Sequence, residues 1–328
     1  MTSVKKYLLA GALSVASMVA CPFVASAQEI VFKMGFNDPE GSPYVMGGHK
    51  IAEEVAKLTD NKIKIEVYPS SQLGNERDMY EGAQIGSIDI ATVVNVVMSG
   101  FIPEMTVLDQ PFLFDTVEQA HKAVDGKLGQ LIAEKGRTQG VHIVGWLESG
   151  FRNVFTKNPI TKLEDFKGVK IRTMENRMQI AAFNAMGAVS APMAYSELFT
   201  AIQQGTVDGA ENAVGNVLTN RFYEIIKNVT MTNHQYTYIA VIFSDKAWNR
   251  IPDDLKPKVL EGVKKGVDYQ RQLLLDYNAE ATVKLKELGV QFHEIDRDSL
   301  KAAVLPALES FRKSMPKEWL DAVEEAKK

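Results

Sequence analysis

QIGSIDIA (residues 84–91) and QQGTVDGA (residues 203–210) are nearly the same phrase written twice. In each, a helix-like segment runs into a glycine, Gly86 or Gly205, then Ser or Thr, then Ile or Val, then Asp89 or Asp208. Glycine suits the left-handed position that closes a helix, and the β-branched residue opens a strand. Two readings follow. Helix–glycine–strand joints recur throughout α/β proteins, and the likeness then carries nothing more. Alternatively, the chain holds two similarly built lobes. Ligands of open α/β sheets bind beyond the carboxyl ends of the strands. On the second reading Asn95, after one strand, and Glu211 with Asn212, after the other, face one cleft.

Working outward, the pattern stays α/β. EIVFKMGFN (29–37) has strand composition and stops at the turn cluster NDPEGSP. The next segment places Val45, Ile51, Ala52, Val55 and Leu58 at helical spacing, and NKIKIEVYP (61–69) alternates as a strand does. Strand, helix and strand in this order make a βαβ unit. Near the other end, Pro257 to Leu288 contains little to break a helix except Gly262 and Gly266. Some thirty helical residues reach about 45 Å, too long for one lobe and suited to a helix laid across two. A short strand, VQFHEID (290–296), and a Lys/Glu-rich amphipathic helix follow. The fold expected is α/β, with two lobes of mixed sheet flanked by helices and a long helix crossing both.

The first 27 residues read as something other than fold. Lys5 and Lys6 precede an apolar run from Tyr7 to about Ala20, and ASA follows at 25–27. That is the order of a secretory signal peptide with cleavage expected after about Ala27. The single cysteine, Cys21, lies inside it; lipidation there is the rival outcome, against which stand Met18 three residues before and Pro22 just after. Cleavage leaves a cysteine-free protein that depends on its core and suits a periplasmic compartment. Without Lys5 and Lys6 the charges are 35 basic against 41 acidic, a net of about −6. Such a balance argues against nucleic acid or an anionic membrane surface as partner. No later segment is long and apolar enough to insert in a bilayer.

The chemistry-bearing motifs are mostly missing. There is no nucleophile elbow, H-E-x-x-H, P-loop or G-x-G-x-x-G. The five histidines (49, 121, 142, 234 and 293) show no ligand spacing, so neither a metal nor a cofactor is expected. What remains are polar groups at strand ends. FRNVFTK carries Arg152, VKIRTMEN carries Arg172, and VDGAENAV carries Glu211 and Asn212. An arginine fork matches a carboxylate with two parallel bonds. Arg152 and Arg172 on neighbouring strands could hold one ligand carboxylate, with Tyr44, Phe112 and Tyr195 as walls. Each arginine alone is better explained by a salt bridge to a nearby acid, and Glu175 or Asp165 would serve. A secreted enzyme for acidic sugars, with Glu76 and Glu211 as an acid/base pair, is the distant alternative.

Several stretches together carry a family resemblance: YPSSQLGNERDMYEGAQIGSIDIA, LDQPFLF, LEDFKGVKIRTMEN, APMAYSELFTAIQQGTVDGAEN and FYEIIKNVTMTNH. In this order and spacing the chain resembles the extracytoplasmic solute receptors of tripartite ATP-independent periplasmic (TRAP) transporters, over nearly its whole mature length. The resemblance implies two α/β lobes, joined by crossing strands and a long helix, that close over an organic acid. Lobe I is then 28–149 with about 238–277, and lobe II 150–237 with about 278–328. It implies that Arg172 makes the main salt bridge to the ligand carboxylate. Arg152, Asn212 and Tyr195 match further site positions. Asn37, Glu76 and Asn95 lie at or near positions that contact ligands in some relatives. The implied partners are a small carboxylate, most simply a sugar acid such as a hexuronate or aldonate, and the transporter's membrane subunits. A C4-dicarboxylate is the runner-up. Arg177 and Ala213 stand where many relatives have proline, and Val94 and Val97 where sialate receptors carry Glu and Arg, so sialate is not expected.

Overall fold

The computed structural model describes residues 29–328. The signal peptide, its cleavage point and Cys21 lie outside the described residues. The strands are β1 (Ile30–Gly35), β2 (Ile63–Tyr68), β3 (Ile90–Val94), β4 (Val141–Thr156), β5 (Lys170–Thr173), β6 (Val189–Pro192), β7 (Gly209–Asn212), β8 (Asn228–Ser244) and β9 (Gln291–His293). In the first half the helices are α1 (Pro43–Leu58), α2 (Glu76–Gln84), α3 (Asn95–Met98), α4 (Val117–Asp125) and α5 (Lys127–Arg137). The second half adds α6 (Arg177–Ala185), α7 (Leu198–Gln203), α8 (Val214–Thr219), α9 (Asp245–Asn249), α10 (Lys256–Glu287), α11 (Arg297–Ser314) and α12 (Lys317–Ala326).

The strand order is β2-β1-β3-β8-β4-β7-β5-β6, with β9 added to β8. Two similar halves lie in that order. β2, β1 and β3 run parallel and end against antiparallel β8; β6, β5 and β7 run parallel and end against antiparallel β4. The strands of both halves are joined into one sheet, because β4 and β8 are long enough to pair with each other through both halves. Bulges interrupt that pairing near Gly145, Gly150 and Val154, and each bulge adds local twist.

The repeated phrase has a structural use in both places. Gly86 and Gly205 take φ of +72° and +75° just past α2 and α7. The aspartate three residues on then caps the neighbouring parallel strand. Asp89 accepts a hydrogen bond from the Lys33 amide (3.1 Å), and Asp208 from the Lys170 amide (2.9 Å). This is the reading with two similarly built lobes.

The α10 helix spans 32 residues, about 48 Å at 1.5 Å per residue. It packs on α1, on β4 and on α8, and so touches both halves. Buried Gln270, at its middle, accepts from the Glu148 amide (2.9 Å) and donates to the Glu148 carbonyl (2.8 Å), tying the helix to the crossing strand. One core lies under β1 and β2 (Phe32, Met34, Ile51, Val55, Val259, Val263) and another around α7 and α8 (Leu198, Ile202, Val217, Phe222). A large side chain buried in either contributes about 1.5–3 kcal/mol. At the C-terminus α11 packs on α6, whereas α12 packs on α4 and α5 in the first half.

Candidate ligand-binding site

Where β1, β3, β5 and β7 end, a cavity of about 40 Å³ opens between the two halves. Asn37, Asp38, Tyr44, Glu76 and Val94 line it from the first half; Arg172, Met174, Tyr195, Asn212 and Asn216 line it from the second. Ser149, Arg152 and Ile239 contribute from the crossing strands. The position follows from the topology, because parallel strands bring their carboxyl ends, and the loops beyond them, to one edge.

Arg172 is the third residue of β5, buried to 3% exposure. Its Nε and Nη2 both donate to the Met193 carbonyl, at 3.0 and 2.7 Å, which fixes the guanidinium plane. The Tyr195 ring centroid is 5.8 Å from the guanidinium carbon. Neither Asp165 nor Glu175 pairs with it. Asp165 turns back on Thr161 and Lys162, and Glu175 meets Arg77 at 3.4 Å. Among the described residues no carboxylate pairs with Arg172. Burial, the largest influence, together with the charge of Arg152 holds its pKa below the ordinary arginine value.

Arg152 also lines the cavity, but its fork already has a carboxylate. Its Nη2 donates to Glu211 Oε1 at 2.8 Å and to the Glu211 carbonyl at 2.8 Å, and its Nε donates to Oε2. Burial alone would push Glu211 up; Arg152 and His234, whose Nε2 lies 3.2 Å away, overrule it and hold the carboxyl at about 2. Glu211 is wholly buried and does not line the cavity. The expected two-arginine clamp is therefore one open arginine beside an internal ion pair, and Glu76 and Glu211 do not form a pair across the cavity.

Asn95 is corrected as well. Its amide donates to Asp109 (3.1 Å) and its carbonyl accepts from the Tyr238 amide (2.9 Å), so it braces the core behind the wall. Phe112, at φ +58°, hydrogen-bonds His234 through its backbone and lines a groove by α11 and α12 instead. Arg177 is exposed.

The remaining expected residues reach the cavity. Glu76, the first residue of α2, accepts from the Val94 amide at 2.8 Å. Burial raises its carboxyl pKa against that bond and against the charges of Arg172 and Arg152. Asn37 accepts from the Ser71 hydroxyl at 3.0 Å. The Asn212 side-chain carbonyl accepts from Asn216 (2.7 Å) and the Ala213 amide (2.8 Å), leaving its NH₂ without a protein partner among the described residues. The Tyr195 hydroxyl is buried and unpaired.

Sequence reasoning missed Asp38, Ser149 and Asn216. Asp38 looked like part of a turn, NDP; no spacing marks it. Burial first, and then Glu76, push its carboxyl up to about 7, against the pull of Arg152. Ser149 sits at a β4 bulge that sequence does not reveal, and its Oγ lies 3.1 Å from the Tyr44 hydroxyl.

The model of the bacterial extracellular solute-binding protein family 7 matches residues 34–314. A TRAP periplasmic solute-binding protein from Polaromonas sp. JS666, solved with D-erythronate, is 35% identical, with a TM-score of 0.87, covering 90% of this chain and 98% of that one. Another, from Citrobacter koseri with D-glucuronate, is 33% identical, with a TM-score of 0.86 over 90% and 99%. The C4-dicarboxylate-binding periplasmic protein DctP of Rhodobacter capsulatus is 28% identical over 97% of this chain and 96% of its own.

Proposed function

That the chain belongs to the bacterial extracellular solute-binding proteins of family 7 is the premise from which we propose that it captures a sugar-acid anion in the periplasm and delivers it to a TRAP membrane transporter. The observation that carries this reading is Arg172, a buried guanidinium with no carboxylate of its own. A buried charge left uncompensated costs several kcal/mol, which a ligand carboxylate returns when it docks on the free side of the fork. Around it stand groups suited to hydroxyls: Asn37, Tyr44, Ser149, Asn212 and Asn216. The erythronate and glucuronate bound by the two similar structures are acids of this type.

Lobe I, in this reading, comprises 28–149, about 238–277 and, by its packing, α12; lobe II comprises 150–237 and about 278–314. A ligand touching both lobes favours the closed arrangement by the difference in its affinity for closed and open forms. The receptor is not a catalyst, and the acid should be recovered chemically unchanged. Export requires removal of the leader after about Ala27, which N-terminal sequencing of the periplasmic protein tests.

The deciding experiment is calorimetric titration of the mature chain with glucuronate, galactonate and erythronate, repeated on Arg172→Ala. Loss of at least ~100-fold in affinity is expected, because the charge-assisted pair is worth about 3 kcal/mol or more. Arg172→Lys should lose at least ~10-fold, since a point charge replaces the fork. Undiminished binding by Arg172→Ala would remove the basis of this reading. A C4-dicarboxylate is the second reading, favoured by the relation to DctP.

A further inference from the structure

Resting on the receptor reading above, we infer that Asp38, with Glu76 beside it, sets the specificity of the cavity: together they accept ligand hydroxyls and repel a second carboxylate, so that the acid bound carries one carboxylate and a hydroxylated chain. The argument is a charge count over named groups. The cation of Arg152 is answered internally by Glu211, which leaves Arg172 as the open positive group on the cavity wall. Asp38 and Glu76 line the same wall, and neither forms an ion pair among the described residues. A single ligand carboxylate can take Arg172. A second one would find no free arginine and would enter the field of two carboxyls. Hydroxyls fare differently: they donate to the oxygens of Asp38 and Glu76 and accept from the unpaired NH₂ of Asn212.

Asp38 is 8% exposed, so its charge is poorly screened by water. The titratable groups that face it are Glu76 from α2, Arg152 from β4, Tyr44 from α1 and Tyr195 from the turn before α7. With its carboxyl held up at about 7, Asp38 is largely ionised at pH 8 and largely protonated at pH 6. The rejection of a second carboxylate therefore strengthens as pH rises.

The test compares galactonate with galactarate, which differ in a terminal hydroxymethyl against a carboxylate, and adds succinate as a short diacid. Titrations run at pH 6 and pH 8 on the mature wild-type chain, Asp38→Asn and Glu76→Gln, with thermal melts to verify folding. At pH 8 the wild type should bind galactarate and succinate at least about 100-fold more weakly than galactonate, as like charges a few ångströms apart in a poorly hydrated site require. Each neutral variant should narrow the galactonate-to-galactarate ratio about 10-fold or more, and so should the shift to pH 6 in the wild type. Equal binding of galactonate and either diacid by the wild type overturns the inference. So does an unchanged ratio in both variants. Arg172→Ala distinguishes the deeper failure: if it binds galactonate undiminished, or if none of the three acids binds the wild type, the receptor reading itself falls and the inference with it.

Discussion

Arg152 and Arg172 show how differently one side chain type can be used. Arg152 and Glu211 are 3% and 0% exposed and hold each other by a two-pronged pair. Glu211→Gln leaves Arg152 buried without its charge and should lower unfolding free energy by about 3–5 kcal/mol, read as a lower urea midpoint. Arg172→Ala should leave that midpoint unchanged or raised, since it removes a charge that the protein does not compensate. The contrast separates an arginine paired within the protein from one left open to the cavity, without any ligand. Protonation gives a second prediction. Burial raises Asp38 and Asp109 from 3.8 to about 7 each. The folded state then holds protons that the unfolded chain has released. Their stabilisation is complete below about pH 4 and is lost as pH rises to about 7, at up to 1.4 kcal/mol per pH unit for each. Glu211 works in the opposite sense: its contribution is present above its ordinary value and is lost as pH falls toward 2. Asp38→Asn should flatten the decline between pH 4 and 7 in denaturant titrations. An unaltered decline would place Asp38 in a more hydrated setting than its burial indicates.

At the scale of elements, α10 matters most, because it packs on α1, β4 and α8 and so reaches both halves. Its glycines, Gly262 and Gly266, looked from sequence like weak points in a helix. The structure gives them a use. A Cβ on Gly266 would lie 2.3 Å from Ile51 Cγ1 and 2.7 Å from the Ile51 nitrogen, and one on Gly262 would lie 2.7 Å from Val55 Cγ2. The two backbones approach closely along a stripe with a four-residue repeat, one turn of helix apart. Gly266→Ala should therefore destabilise by about 1–3 kcal/mol, although alanine is the better helix former by about 1 kcal/mol. A rise in melting temperature would show that the α1–α10 contact yields freely. Gln270→Leu should cost a similar amount, because it strands both the amide and the carbonyl of Glu148. How much of the fold was legible depended on how local its cause is. The helix at α1, the strand at β2 and the two helix-closing glycines were readable, being written in periodicity and in single positions. The bulges in β4 and the bracing role of Asn95 were not, because each depends on a partner strand.

For the whole molecule, the small size of the cavity is informative. About 40 Å³ is room for a few water molecules, so a sugar acid enters only if the lobes part and then reclose around it. Contacts that cross the gap are both polar and apolar: Arg77 to Glu175 at 3.4 Å, the Asn176 amide to Asp109 at 2.7 Å and Ser99 at 2.8 Å, and Met174 clustered with Val94 and Val96. Small-angle scattering should show a contraction of the mature protein on adding a bound sugar acid, and no contraction of Arg172→Ala under the same conditions. Identical profiles with and without ligand would mean that closure is not coupled to binding. The return of α12 to α4 and α5 adds a further crossing between lobes beside β4, β8 and α10. Removing α12 should then loosen the pairing of the lobes as well as uncovering the faces of α4 and α5 that it packs on, seen as a lower melting temperature in the absence of ligand.

The sequence by itself determined the α/β class, the doubled architecture, the long helix and the acidic balance, and it singled out Arg172 as a candidate. Each of these rests on local periodicity, on a single residue type or on a motif read in order, and local features survive being read in one dimension. Which polar groups meet in the cavity was decided only by tertiary structure. Glu211 reaches Arg152 from 59 residues away, and Asn95 is claimed by Tyr238 from 143 away. Asp38, Glu76 and Arg172 come together from three separate elements at the ends of parallel strands. A buried donor or acceptor takes whatever partner the sheet order brings beside it, and that order follows from how two long strands pair across the molecule.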